Sequence, residues 1–174
     1  MNRITFATVA ALATVAVAGP AAAQSRPTLG LAVGANVPTS TLDNSQNAGF
    51  HGAVSINLRP VNSAVGFRGE GAFHQFSGED NASDFRSASF TGNILLEIPG
   101  SAVKPYVIGG AGLYNTKFGS GDARNNVGVN GGVGLRFDMG DFATYAELRI
   151  HNVFNGINDD NSAQFVPISF GILF

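Results

Sequence analysis

Hydrophobic and polar residues alternate at every second position through most of this chain. Val166 to Phe174 displays the pattern most cleanly: Val166, Ile168, Phe170, Ile172 and Phe174 share one phase, and Pro167, Ser169 and Gly171 take the other. A period of two belongs to an extended strand, whose side chains leave opposite faces in turn. Eight such stretches are separated by clusters of Gly, Asn, Asp, Ser and Pro: Leu29 to Val37, Gly49 to Arg59, Ala64 to Phe76, Phe85 to Ile98, Pro105 to Phe118, Asn126 to Asp138, Ala143 to Asn155 and Gln164 to Phe174. Several are longer than the usual strand of about five or six residues and suit a tilted strand that crosses a bilayer with about nine to eleven residues plus overhang.

The connectors alternate too. The first, third, fifth and seventh (Pro38 to Ala48, Ser77 to Asp84, Gly119 to Asn125, Gly156 to Ala163) are longer and rich in Asp, Asn, Ser and Gly, whereas the second, fourth and sixth ("PVNS", "PGSAVK", "MGDF") are tight turns. Short turns at one end and longer loops at the other predict an all-β, eight-stranded antiparallel up-and-down barrel that spans an outer membrane, with the turns on the periplasmic side. An even strand number returns both ends of the barrel to that side, where the last strand closes onto the first and Phe174 sits in an aromatic girdle.

Each strand has an oily face and a sparsely polar one. Val65, Phe67 and Phe73 oppose Arg68, Glu70 and His74; Ala146, Leu148 and Ile150 oppose Tyr145, Glu147, Arg149 and His151. Val127, Val129, Val133, Leu135 and Phe137 oppose Asn130, Gly132, Gly134 and Arg136, and Phe90, Ile94, Leu96 and Ile98 oppose Ser89, Thr91, Asn93 and Glu97. The strand PYVIGGAGLYNTKF is small or apolar on both faces and fixes no phase. A soluble lipocalin-like barrel has the same alternation with inside and outside exchanged. Composition separates the two: charged residues make up 13% of the chain, about half the level of an ordinary soluble domain at roughly 25%. A few charges of mixed sign among glycines read as a packed polar interior, not as a water-facing surface.

The first 23 residues follow a different pattern. Arg3 precedes an apolar run from Ile4 to Ala18, then Gly19-Pro20 and Ala21-Ala22-Ala23 before Gln24, which reads as a cleavable signal peptide over residues 1–23 and a barrel domain over 24–174. Cleavage takes 23 of 174 residues and leaves 151, room for one domain, with 9 basic and 12 acidic residues and a formal charge of −3. That balance excludes a nucleic-acid footprint. With no Cys in the chain, neither a lipidated Cys, a disulfide nor a thiolate metal site is open to it.

The signal ending AAAQ, the strands PYVIGGAGLY and YAELRIH, and the closing VPISFGILF together resemble the small outer-membrane β-barrel family, OmpA/OmpX-like and porin-like, across the mature chain. The resemblance implies a bacterial outer-membrane protein reached by the secretory route. It also implies that Phe170, Ile172 and Phe174 form a C-terminal assembly signal read by the barrel-insertion machinery as an edge strand. One fold hosts pores, adhesins, enzymes and structural barrels, so function rests on the site.

Arg68, Glu70, Glu97, Arg136, Glu147 and Arg149 fall on inferred inner faces, as does Arg59 of the second strand. An unpaired charge at bilayer depth is costly, so these are expected to pair into a network that fills the lumen, since eight strands leave an interior just wide enough for side chains. RIHNVFNGIND resembles the outer-membrane lipid A deacylases, barrels whose His lies two residues before a nucleophilic Ser. Here that position is Val153, so acyl-transfer chemistry lacks its attacking atom. His51, His74 and His151 lie on different strands without ligand-like spacing and read as hydrogen-bonding groups; no cofactor or metal is expected. Seven of the twelve acids (Asp43, Glu79, Asp80, Asp84, Asp122, Asp159, Asp160) sit in the long loops as a solvated rim. The expected reading is a monomeric, non-enzymatic envelope barrel in contact with outer-membrane lipids, with a narrow channel and a lipid A hydrolase as its alternatives.

Overall fold

The computed structural model describes residues 27–43, 45–61, 63–79, 82–98, 102–158 and 161–174. The expected signal peptide lies outside them. Eight strands run in chain order: β1 Thr28–Thr39, β2 Gly49–Leu58, β3 Val65–Phe76, β4 Phe85–Glu97, β5 Val103–Phe118, β6 Arg124–Asp138, β7 Ala143–Asn158 and β8 Asn161–Leu173. Each pairs antiparallel with its neighbour, and β8 closes onto β1 from Gly30↔Leu173 to Thr39↔Gln164. Closure leaves no open sheet edge, the condition under which strands can cross a bilayer. Phe174 extends the seam, exchanging backbone hydrogen bonds with Leu29 at 2.8 and 2.9 Å.

The turn end is built as its sequence demands. Ser63 N–H donates to Pro60 O at 3.1 Å, and Met139 N–H to Phe142 O at 2.9 Å around Gly140. Gly140 has a φ of 82°, open to glycine at no steric cost. At the opposite, loop end the last connector departs from expectation. Gly156 to Asn158 and Asn161 to Ala163 belong to β7 and β8, with Asn158 paired to Asn161. The pairing shifts register between Val153 and Asn158, where Asn155 takes a φ of 54°. Asn tolerates that left-handed conformation, so a bulge absorbs the irregular residues and the strands continue past it.

The β7–β8 pairing also skips the level of Pro167: it runs to Leu148↔Ile168 and resumes at His151↔Phe165 in the same register. Proline has no N–H to give to the ladder. Pro167 keeps its place on the β1 side, opposite Asn36.

Phase is set by burial. Val33, Val54, Phe67, Phe90, Val107, Val133, Leu148 and Phe170 are exposed on the outer wall, whereas Arg68, Glu70, Thr91, Asn93, Glu147, Arg149 and Ser169 are buried within. The ambiguous fifth strand follows: Tyr106, Ile108, Tyr114 and Thr116 are buried inward, and Val107 and Leu113 face out. Its glycines explain why the pattern was silent: inward Gly110 and Gly112 carry no side chain, and a Cβ there would run into Asn93 and Thr91, while glycines on other strands make room for inward rings. A Cβ at Gly134 would run into the Tyr106 ring, at Gly171 into the Tyr145 ring, and at Gly128 into Tyr114.

Candidate functional site: the filled lumen

The interior is stacked in layers. At its middle lie four charges from two strands that stand four apart in an eight-strand ring and therefore face each other across the axis. Arg68 Nη1 donates to Glu147 Oε2 at 2.9 Å, Arg149 Nε approaches Glu147 Oε1 at 2.7 Å, and Arg149 Nη2 donates to Glu70 Oε1. Arg68 lies 3.7 Å from Glu70, which closes the ring. All four side chains are at most 5% exposed. The quartet is further tied down by Tyr106 OH donating to Glu147 at 2.7 Å, Arg68 Nε donating to Asn57 Oδ1 at 2.8 Å, and the Arg68 guanidinium lying 4.9 Å from the Tyr145 ring centre. Two cations and two anions in alternation cancel locally, which is how four ionised groups persist at bilayer depth.

Glu97 and Arg136 do not join this quartet. They form a separate cluster at the turn end, where Glu97 lies 3.0 Å from Arg59 and 3.6 Å from Arg136, and Asp138 holds Arg136 at 2.8 Å and Lys104 at 2.6 Å. Between the two clusters is a cavity of about 140 Å³ lined by Asn57, Arg59, Glu97, Tyr106, Arg136 and Tyr145, with Arg68 at its wall.

Above the quartet, towards the loop end, the three histidines meet. His51 and His74 stack with ring centres 5.3 Å apart, and His74 and His151 lie 5.6 Å apart. Sequence spacing alone gave no hint of this, because the proximity comes from barrel closure. Each ring is held by a hydrogen bond: His51 with Ser169 Oγ at 2.9 Å, His74 with Asn36 Oδ1 at 3.1 Å, His151 with Tyr114 OH at 2.9 Å. Among the described residues no group of His, Asp or Glu is arranged to hold a metal ion.

The loop end is closed by an apolar plug that the sequence reading missed. Leu42, Phe76, Phe85, Phe165, Val153, Ala163 and Tyr114 are fully buried together, with Phe118 and Ile157 packed on them. Phe76 contacts Phe85 and Phe165 at ring-centre distances of 5.7 and 5.5 Å. Leu42 is delivered by a single 3-10 turn after β1, Ser40–Leu42. Gln46 then fastens the loops above: its Nε2 donates to Ser83 O at 3.0 Å, and its Oε1 accepts from Phe85 N–H at 3.1 Å. The available signal was phase, since Phe76 follows His74 by two, Val153 follows His151 by two, and Phe85 precedes buried Ser87 by two.

On the outer wall, Phe170, Ile172 and Phe174 line one face of the closing strand, Phe170 at 63% and Phe174 at 53% exposure. His151 points into the barrel and is 1% exposed, and Val153 beside it is fully buried, so neither reaches the outer wall.

An apolar belt around a closed, charged and tightly packed interior defines an integral membrane β-barrel and rules out the lipocalin-like inversion. The chain belongs to the outer membrane protein beta-barrel domain family, whose model matches residues 7–174, and is thus a small bacterial outer-membrane barrel. No curated protein matches it. Among solved structures it is similar to Neisserial surface protein A, NspA, with a TM-score of 0.69 and 18% identity over 86% of this chain and 97% of that one. The outer membrane enzyme PagL gives 0.55 and 16% over 84% and 98%, and the N-terminal β-barrel domain of Pseudomonas aeruginosa OprF gives 0.51 and 15% over 87% and 100%. At these identities the likeness is one of fold.

Proposed function

We propose that this protein is a non-enzymatic, monomeric envelope barrel whose lumen is a plug, serving the outer membrane as a structural or surface-interaction protein. The observation that carries the reading is the Arg68–Glu70–Glu147–Arg149 quartet, buried and mutually paired across the axis beneath an apolar plug. A conducting path would have to hydrate that quartet and displace Phe76 and Phe165. The turn end faces the periplasm and the loop end faces outward, after secretion with removal of residues 1–23. Phe170, Ile172 and Phe174 present the strand that the insertion machinery reads.

The same interior weighs against two alternatives. A narrow channel is disfavoured because the paired quartet and the apolar plug fill the lumen beyond the turn-end cavity, which Arg68 helps to line. A lipid-modifying hydrolase is disfavoured because His151 is held inside by Tyr114 and is followed two residues on by Val153, which offers no nucleophile. Ion conductance in planar bilayers tests the plug. The mass of lipid A from cells overexpressing the protein tests the hydrolase, and no shift is expected.

A further inference from the structure

Register brings two cations together on the outer wall. Arg86 of β4 stands directly opposite Lys117 of β5. Both are in the lipid-facing phase, Arg86 four residues beyond exposed Phe90 and Lys117 four beyond exposed Leu113. Like charges directly across a sheet face destabilise the pairing unless something neutralises them. One carboxylate offsets them in part. Arg86 lies 3.9 Å from Asp84, whose Oδ1 already accepts from Gly78 N–H at 3.1 Å. Lys117 makes no salt bridge among the described residues. Gln75 faces Arg86 from β3, and Asn115 donates to Asn125 at 2.8 Å beside Lys117, so these flanking groups are polar and uncharged and Asp84 is the one anion paired with either cation among the described residues.

Height identifies the level. From Ile98, the residue that follows β4 at the turn end, back to Arg86 the chain rises about 30 Å, at about 3.3 Å per residue and a tilt of roughly 40°. That clears an apolar band of about 25 Å and sets the pair at the headgroups of the leaflet nearest the loop end. Below them on the same wall, Phe73, Phe90 and Leu113 are exposed and continuous: Phe90 is opposite Leu113, and Phe73 is opposite Ala88, two residues above Phe90.

We infer that Arg86 and Lys117 form a binding site for the phosphate of an acylated outer-leaflet lipid, with an acyl chain lying on Phe73, Phe90 and Leu113. The guanidinium fork suits two phosphate oxygens and the ammonium adds a point charge. A phosphate also removes the repulsion between the two cations. The apolar wall beneath selects a lipid over a free anion. The site rests on the outward orientation of the loop end proposed above. That orientation is read separately by protease access in whole cells, so failure of one is distinguishable from failure of the other.

The test uses the folded barrel in detergent micelles, checked by heat-modifiable gel migration and titrated with bis-phosphorylated lipid A under native mass spectrometry. Wild type should retain the lipid, and removal of its phosphates should weaken retention about tenfold or more. Arg86→Gln with Lys117→Gln should cost about as much, each single change less, and Arg86→Lys an intermediate amount through loss of the fork. Lys104→Gln at the opposite rim should change nothing. Retention by the double variant at the wild-type level, or equal binding of the dephosphorylated lipid, would overturn the site. Full competition by millimolar inorganic phosphate would overturn the lipid and leave a free-anion site. The single variants keep the test readable if the double variant folds poorly.

Discussion

Arg68 of β3 donates to Glu147 of β7 across the barrel axis at 2.9 Å, and the same carboxylate oxygen accepts from Tyr106 OH at 2.7 Å. One carboxylate thus joins three strands from within, and its loss leaves a guanidinium without its nearest anion in a space closed to bulk water. Glu147→Gln should lower unfolding stability by about 3–5 kcal/mol, less whatever water enters the lumen. Replacing Arg68 and Glu147 together by Met and Leu should cost much less than either single change. Urea titrations of barrels refolded into vesicles measure both, and equal costs for single and paired changes would show that the ion pair is not the unit of stability.

Inward and outward glycines should behave oppositely. Gly134 leaves its space to the Tyr106 ring, whereas a Cβ at Gly92 meets nothing within 4 Å. Gly134→Ala should destabilise by about 1–3 kcal/mol through overpacking. Gly92→Ala should be neutral or stabilising by a few tenths to about 1 kcal/mol, because it restricts the unfolded chain. The same vesicle titrations check the ranking.

Leu148 is 47% exposed on the outer wall, opposite Val133 and Ile168. Leu148→Arg should cost about 2–4 kcal/mol if the residue lies at the bilayer midplane. The cost should shrink when the barrel is moved from vesicles into detergent micelles, where the charge can find water. An unchanged cost would argue for a packing effect in place of a lipid one.

Phe174 contributes backbone pairing to Leu29 while its ring stays half exposed, so Phe174→Ala removes little packing from the finished barrel. Its equilibrium effect should stay within about 1 kcal/mol. Insertion assisted by the assembly machinery should slow markedly. Stopped insertion assays scored by heat-modifiable migration separate the two, and normal kinetics would remove the assembly role from Phe170, Ile172 and Phe174.

Much of this fold is legible in the sequence because a membrane barrel writes one rule along its whole length. Positions facing the apolar band are apolar or small, so strand and phase can be read from stretches such as Val65 to Phe73 or Ala146 to Ile150, and strand count from the eight such stretches along the chain. The pairing of Arg68 and Glu70 with Glu147 and Arg149 is legible for a related reason: mixed signs on strands four apart must meet across the axis. What is illegible depends on closure. The histidine stack joins β2, β3 and β7, and local spacing carries no trace of it. The separation of Glu97 and Arg136 from the quartet is set by height along the barrel, which alternation does not encode. The plug of Phe76, Phe85 and Phe165 is hidden because a Phe looks the same whether it meets lipid or lumen, and only its phase tells.

The quartet, which spans the axis, is the main closure of the lumen and the plug above it the lesser one, which sets a pattern for current measurements. Phe76→Ala opens the loop end but leaves the charge ring intact beneath it. It should cost about 3–5 kcal/mol of stability and still pass little current. Arg149→Ala removes a contact to both Glu70 and Glu147 and should produce a measurable leak, larger when combined with Phe76→Ala.

Planar-bilayer recording of the wild-type barrel beside Arg149→Ala measures the filled lumen most directly. A closed plug predicts near-baseline current for the wild type and a clear increase on losing Arg149. A large, steady wild-type conductance that Arg149→Ala leaves unchanged would contradict it and make the protein a channel.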